Sequence, residues 1–153
     1  KGTFFSYFPT KEAVLGDIGR LVVEEIENSY AQISKKSYSP SRKISLVFGA
    51  AVRWHVRNRD LSHLACSLIL LHPSSLDSDQ ANLEVLSEKL LGLLKEGIAS
   101  GHFSSALRRD VAVRTLIGVY LFTLLTWHRA KWKWDLPENM DAALALVLKG
   151  LSK

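Results

Sequence analysis

The sequence opens with the stretch Lys1–Leu15, KGTFFSYFPTKEAVL, from which the rest of the chain is best interpreted. Phe4 and Phe8 are four residues apart, so in a helix they share one face, and hydroxylated and aromatic side chains remain on the other. Thr10 is a favourable N-cap, which predicts that a short helix ends near Phe8 and that a long helix follows. The free face suits contacts with phosphates, although a short helix that merely packs into a corner has the same pattern.

This stretch resembles the recognition helix and the following helix start of the tetracycline-repressor-like (TetR/AcrR) transcriptional regulators. The residues that match the family motif are Gly2, Thr3, Phe4, Phe5, Tyr7, Phe8, Lys11, Glu12 and Leu15. The family most often has tyrosine in place of Phe5, so the hydrogen bond of that hydroxyl is missing here. The resemblance implies that the DNA-binding residues are Lys1, Thr3, Phe5, Tyr7 and Lys11.

A second match to the same family lies about ninety residues further on, in Leu93–Phe103. There a leucine-rich helix closes with Gly97, Gly101 and Phe103 at the family's spacing. The two matches together imply an all-α fold. Residues 1–15 are then the end of a helix-turn-helix unit, and residues 16–153 are a C-terminal effector-binding and dimerisation domain. Because that unit has two earlier helices in the family, we expect the given sequence to start inside the motif and to bind DNA poorly by itself.

Composition indicates one globular domain. The 153 residues are 47% apolar and 23% charged, which argues against disorder. A net charge of +5 is compatible with an anionic partner such as DNA but does not define a function. Cys66 is the only cysteine, so no intramolecular disulfide can form and the cytoplasm is the expected compartment. The most apolar run, Leu116–Trp127, is about twelve residues and too short to cross a bilayer, so no membrane partner is expected.

Apolar residues recur at steps of three and four along most of the chain, which predicts amphipathic helices. About six remaining helices are expected, over roughly 10–34, 42–58, 61–71, 80–100, 111–131 and 137–151. Asp60 and Asp77-Ser78-Asp79 are the expected caps of the third and fourth of these helices.

The last two helices carry more apolar surface than one core can cover. Leu116–Trp127 is apolar around nearly its whole circumference, so it must be buried on two sides, and a partner chain is the simplest cover. The resemblance implies the same arrangement, a four-helix interface in a homodimer. The predicted interface residues are Leu116, Val119, Phe122, Thr123, Met140, Leu144, Val147 and Leu148.

The wide apolar faces also offer walls for a small-molecule cavity. Its candidate lining residues, any of which could be plain core, are Trp54, Cys66, Leu70, Leu90, Tyr120 and Leu124. An apolar cavity with few charges predicts an uncharged or lipophilic effector, since a buried ion needs a counter-charge. Inward-pointing Arg53 and Arg57 would overturn that prediction.

The sequence contains no recognised catalytic motif, phosphate-binding glycine loop or cofactor motif. His63, Cys66 and His72 lack a recognised metal-ligand spacing, so a core cysteine with peripheral histidines is favoured over a metal site. The basic and aromatic segment 127–135 fits single-stranded nucleic acid or a membrane surface, but the packed end of a helix explains it adequately.

The interpretation that joins these features is a ligand-responsive transcriptional repressor that binds operator DNA as a homodimer and is not an enzyme. An all-α interaction or enzyme domain unrelated to transcription is the alternative.

Overall fold

The computed structural model describes residues 10–72 and 74–152, which form seven helices. They are α1 (Lys11–Ile33), α2 (Pro40–Arg57), α3 (Arg59–Leu71), α4 (Ser75–Ser78), α5 (Gln80–Ala99), α6 (Arg109–Arg129) and α7 (Leu136–Leu151). Between these residues the only strand-like pairing is an isolated bridge that joins Phe103 to Ser152. The all-α prediction is confirmed.

Side-chain caps fix the starts of three long helices where the sequence placed them. The Thr10 hydroxyl accepts a hydrogen bond from the backbone N–H of Ala13 at 3.1 Å and so begins α1. Ser39 caps α2 in the same way, with Pro40 in the first turn. The Asp135 carboxylate accepts from the backbone N–H of Glu138 at 2.7 Å and begins α7.

Of the other two predicted caps, one lies at the wrong position and one lies at the right position without the expected hydrogen bond. α3 begins at Arg59, directly after α2, so Asp60 lies inside its first turn instead of before it. Asp79 stands at the N-cap position of α5, as predicted, and the short α4 over 75–78, which the sequence did not predict, precedes it. The carboxylate of Asp79 accepts a hydrogen bond from the side-chain amide of Asn82, so it does not cap a backbone N–H of α5.

The helices pack as a bundle with α2 near its centre. α1 packs chiefly against α2, α2 also packs against α5 and α7, and α6 packs against α3, α5 and α7. The glycines at the end of α5 that match the family pattern have a packing role. The fully buried ring of Phe103 lies against Gly97, and a Cβ on residue 97 would lie 2.1 Å from Cδ2 of Phe103. Gly101 ends the helix at a φ of +73°, a conformation that glycine adopts without strain.

α6 is longer than the apolar run within it suggested. Its 21 residues are long and apolar enough, by length and composition, to cross a membrane, so the length argument from the sequence is wrong. Its packing is nevertheless that of a core helix with one buried face. The residues of that face include Ala112, Val113, Leu116, Tyr120, Leu124 and Trp127.

Candidate ligand cavity

A cavity lies between α1, α3, α5 and α6. The space open to the centre of a water molecule is only about 70 Å³, within a cleft whose total empty volume is about 590 Å³ including open solvent. Four apolar residues of α1, Leu15, Ile18, Val22 and Ile26, contribute to one wall. The remaining lining residues are Gly19, Val23, His55, Ala65, Cys66, Ile69, Asp79, Asn82, Leu83, Leu86, Tyr120, Leu121 and Leu124.

Three of the six predicted lining residues, Cys66, Tyr120 and Leu124, do line this cavity. Trp54 and Leu90 are core residues that do not reach it, and Leu70 is 63% exposed on the outer side of α3. The α1 wall was missed, although α1 shows a clear apolar stripe in the sequence. That stripe alone does not show whether a helix faces solid core or a cavity.

The cavity surface is almost wholly apolar. Within the described ranges no lysine or arginine lines it. Arg53 is exposed, and Arg57 points outward to an ion pair with Glu25, with 3.0 Å between Nη2 and Oε2. The arginines that could have reversed the prediction of an uncharged ligand therefore do not face the cavity.

One polar position on the cavity wall is a half-buried pair of side chains, Asp79 on the turn between α4 and α5 and Asn82 in the first turn of α5. The Asn82 side-chain amide donates to Oδ1 of Asp79 at 2.7 Å and to the backbone carbonyl of Gly16 at 3.0 Å, which ties α5 to α1. Burial raises the pKa of the Asp79 carboxyl to about 6, and the hydrogen bond from Asn82 opposes that rise only in part. The pair therefore joins two helices at the cost of a poorly solvated carboxylate.

A chain of buried hydrogen bonds, which we call the relay, begins at the opposite polar position of the wall. Tyr120 Oη lies 2.6 Å from His55 Nε2, and His55 Nδ1 lies 2.7 Å from Ser62 Oγ. Ser62 Oγ lies 2.6 Å from His128 Nε2, and the indole N–H of Trp132 donates to His128 Nδ1 at 2.9 Å. The relay thus connects the cavity to the turn after α6.

Both histidines of the relay are neutral near pH 7. Burial lowers the pKa of His55 to about 3, with a further contribution from the charge of His128. Burial likewise lowers the pKa of His128 to about 4, assisted by His63, whose ring centre lies 5.4 Å away. Neutral imidazoles donate at one nitrogen and accept at the other, so each has a single fixed role in the relay.

The remaining candidate groups near the cavity are structural in this arrangement. Burial raises the pKa of the Cys66 thiol to about 12, so it stays protonated as part of the apolar wall. In the part of the chain that is described, no three histidine, cysteine or acidic side chains come together as a metal site. His63, the nearest predicted companion of Cys66, is exposed and packs beside the ring of Trp132.

The basic and aromatic segment after α6 forms a packed helix end. The indole N–H of Trp127 donates to the backbone carbonyl of Trp134 at 3.0 Å. The guanidinium of Arg59 lies 5.7 Å from the ring centres of both Trp127 and Trp132. The aromatic side chains are thus engaged with the chain itself, as the structural interpretation of this segment predicted.

Comparison with known proteins gives consistent relatives, although no protein-family model matches the chain. The fatty acid metabolism regulator protein of Bacillus subtilis is 25% identical over 153 residues, covering 98% of this chain and 78% of that protein. The structure of Thermus thermophilus FadR, a TetR-family transcriptional repressor in complex with lauroyl-CoA, is 25% identical with a TM-score of 0.71, covering 99% of this chain and 78% of that one.

Bacillus subtilis FadR in complex with stearoyl-CoA has a TM-score of 0.77 at 22% identity, covering 97% of this chain and 81% of that one. The fatty acid degradation regulator FadR of Bacillus halodurans has a TM-score of 0.79 at 20% identity, covering 98% and 78%. This chain has the fold of the TetR-like transcriptional regulators and is similar to them over nearly its whole length. The resemblance drawn from its two sequence motifs is confirmed.

In this TetR-like chain, half of the predicted dimer-interface residues face inward. Leu116, Met140, Leu144 and Leu148 are buried in the chain's own core and cannot contact a partner. The prediction failed there because, when a helix is apolar on two sides, the sequence does not show which side packs against the other helices of the same chain. Val119, Thr123 and Val147 are half-buried, and Phe122 is 69% exposed.

The outward face of α6 and α7 also holds apolar residues that the prediction omitted. Leu146 is 77% exposed on α7, and Val111 is exposed at the start of α6. We call the set Val111, Val119, Phe122, Leu146 and Val147 the outward apolar face. Its exposure in a single chain is the feature expected of a surface that a second subunit covers.

The predicted DNA-binding residues fall almost entirely outside the described part of the chain. Lys1, Thr3, Phe5 and Tyr7 lie in 1–9, and Lys11 is the first residue of α1. Their role in DNA binding stays a prediction.

Proposed function

We propose that this TetR-like regulator is a homodimeric, non-enzymatic repressor that binds operator DNA in the cytoplasm and is released by a fatty acyl effector, in the form of its CoA thioester. The observation that carries the proposal is the apolar, cation-free cavity walled on one side by α1. The similarity to regulators solved with lauroyl-CoA and stearoyl-CoA supports the acyl-CoA class.

The small free volume of the cavity provides a mechanism of release. Because only about 70 Å³ is open to the centre of a water molecule, a long acyl chain enters only if the walls separate. α1 forms one wall of the cavity and begins at Lys11, directly after the predicted recognition helix. A displacement of α1 therefore reorients the DNA-reading unit. The ligand then favours the state with α1 displaced, and this difference in affinity between two states is the coupling free energy.

The homodimer is supported by the outward apolar face. A twofold dimer reads two half-sites separated by whole turns of DNA, so a change in the spacing of its recognition helices weakens operator binding. A twofold interface uses the same surface on both subunits, and the exposed Phe122 of α6 and Leu146 of α7 are the residues proposed for it. Lys1, Thr3, Phe5, Tyr7 and Lys11 are the proposed DNA contacts.

Calorimetric titration with palmitoyl-CoA tests the cavity directly. Ala65 is buried and lines the cavity, so Ala65→Leu should fill part of it and weaken binding at least tenfold. Ala31 is exposed near the end of α1, so Ala31→Leu is the matched control and should leave binding unchanged. Equal affinities of the two variants would exclude this cavity as the acyl site.

A DNA-binding assay on the natural protein separates a regulator from the alternative of an unrelated interaction or enzyme domain. Binding to a palindromic duplex should weaken steeply with salt, because Lys and Arg contacts to phosphates release counterions. Addition of palmitoyl-CoA should weaken it further. A protein that binds palmitoyl-CoA but no palindromic duplex would instead be an acyl-binding domain without a role in transcription.

A further inference from the structure

The direction of the hydrogen bonds in the relay is set by its last member. The indole N–H of Trp132 can only donate, so His128 must accept at Nδ1. A neutral His128 then carries its proton on Nε2 and donates it to Ser62 Oγ. Each following group inherits its role from this first step.

The same reasoning continues to the cavity wall. Ser62 is completely buried, and the relay nitrogen left to accept its hydroxyl proton is Nδ1 of His55, so we assign Ser62 as the donor in that hydrogen bond. His55 is then protonated on Nε2 and donates to Oη of Tyr120. Tyr120 therefore acts as an acceptor within the relay, and its O–H proton is left for another partner.

That proton has no acceptor among the described side chains that hydrogen-bond in the relay or at the Asp79 and Asn82 pair. Tyr120 is only 5% exposed and lines the cavity, so the partner for this proton has to lie inside the cavity, either a water molecule or an atom of a ligand. A ligand that displaces water from this part of the cavity has to supply an acceptor in its place, because a buried donor without a partner is costly. The free donor therefore favours a ligand with an oxygen at this point.

The charge of the surroundings restricts what that oxygen can be. No lysine or arginine lines the described cavity, and both relay histidines are held neutral. A carboxylate buried beside Tyr120 would lack a counter-charge, and the Asp79 carboxyl on the same wall would repel it. An uncharged carbonyl or hydroxyl oxygen meets both requirements.

We propose that Tyr120 is a specificity-determining residue, which donates a hydrogen bond to one uncharged carbonyl or hydroxyl oxygen on the buried part of the effector. This inference rests on the proposed acyl-binding function and adds to it the requirement for that oxygen. It also gives Trp132, which does not touch the cavity, the positioning role of orienting the donor.

The protonation of the histidines tests the direction of the relay without any substitution. Nitrogen-15 shifts in the imidazole rings distinguish the two neutral forms. Both His55 and His128 should carry the proton on Nε2 at pH 7. A His55 protonated on Nδ1 would accept the Tyr120 proton itself, and the inference would be overturned.

Binding of a matched ligand set tests the consequence. The probes are hexadecyl-CoA thioether, which lacks the carbonyl, palmitoyl-CoA, and palmitoyl-CoA with one additional oxo group at successive chain positions. In the unsubstituted protein one of these oxygens should tighten binding about three- to tenfold, the range of one neutral hydrogen bond. Tyr120→Phe should abolish that gain and leave the affinity for the other probes similar.

The control is Tyr30→Phe, the same change on a half-exposed residue outside the cavity, which should keep the preference. A thermal melt of each variant shows whether it is folded. If all probes bind and the ratios of their dissociation constants are the same in the unsubstituted protein and in Tyr120→Phe, only the role of Tyr120 is refuted. If no probe binds the unsubstituted protein, the proposed acyl-binding function fails as well.

Discussion

Replacing Leu146 with glutamate should break the proposed homodimer. Leu146 is 77% exposed on α7 and lies on the outward apolar face, so in a dimer most of its surface is still to be buried. The same substitution at Leu71, which is 73% exposed at the end of α3, is the matched control because it has equal chemistry and similar exposure outside this face.

The magnitude follows from the exposed fraction. Complete burial of a leucine side chain contributes about 1.5–3 kcal/mol, so burial of the exposed 77% contributes about 1–2 kcal/mol per subunit. A twofold interface contains the residue twice, which gives about 2–4 kcal/mol per dimer. The dimer dissociation constant should therefore rise about 30- to 1,000-fold, before any cost of burying the glutamate charge.

Sedimentation velocity across a dilution series measures this constant for both variants. The unsubstituted protein and Leu71→Glu should remain dimeric at concentrations where Leu146→Glu is monomeric. Equal dissociation constants for the two variants would remove α7 from the interface. Dissociation of only the Leu71 variant would place the interface at the end of α3.

Three further predictions concern stability. Asp79→Asn should raise the free energy of unfolding by about 1 kcal/mol at pH 7 and should leave it unchanged below about pH 4. The pKa of Asp79 in the folded protein, about 6, exceeds the ordinary 3.8, so the buried carboxylate destabilises the fold only at the higher pH. Acidification from pH 6.5 to 5 should lower the free energy of unfolding by roughly 2 kcal/mol. In this pH range His55 and His128 take up protons in the unfolded chain but not in the folded one, because their pKa values are lowered by folding, and protonation of Asp79 in the folded chain offsets part of the loss. Gly97→Ala should destabilise by at least about 1 kcal/mol, because its Cβ would meet the buried Phe103 ring.

Urea unfolding at several pH values measures all three effects. Gly92→Ala on the same helix is the control for Gly97, since the nearest side-chain atom to its added Cβ is 3.8 Å away and no loss is expected. His72→Gln, on an exposed residue, should keep the acid dependence of the unsubstituted protein. An acid dependence that disappears in His72→Gln would show that the buried histidines do not cause it.

Local chemistry made the helices predictable. Thr10 and Asp135 hydrogen-bond to the first turns of their helices as short polar caps do, and Gly101 ends α5 with a positive φ. The boundaries that failed lie where helices follow each other without a free cap. At Asn58 and Asp79 the chain turns directly from one helix into the next, and only packing decides where it turns.

The polar relay could not be predicted, because its members are far apart in the sequence. His55 and Tyr120 are separated by 65 residues, and Ser62 and His128 by 66. Each histidine alone resembles a peripheral residue of an apolar helix. The hydrogen bonds that make both neutral and orient the Tyr120 hydroxyl exist only when α2, α3 and α6 meet.

The sequence by itself determined the all-α class, the positions of the long helices and the resemblance to a regulator family, because caps, apolar periodicity and two short motifs are local properties. The tertiary structure alone decided which apolar stripe is core, cavity wall or outward surface. Leu144 and Leu146 show why: two residues apart on one helix, one is completely buried and the other is exposed. Their hydrophobicity is the same, and only the position of the neighbouring helices separates them.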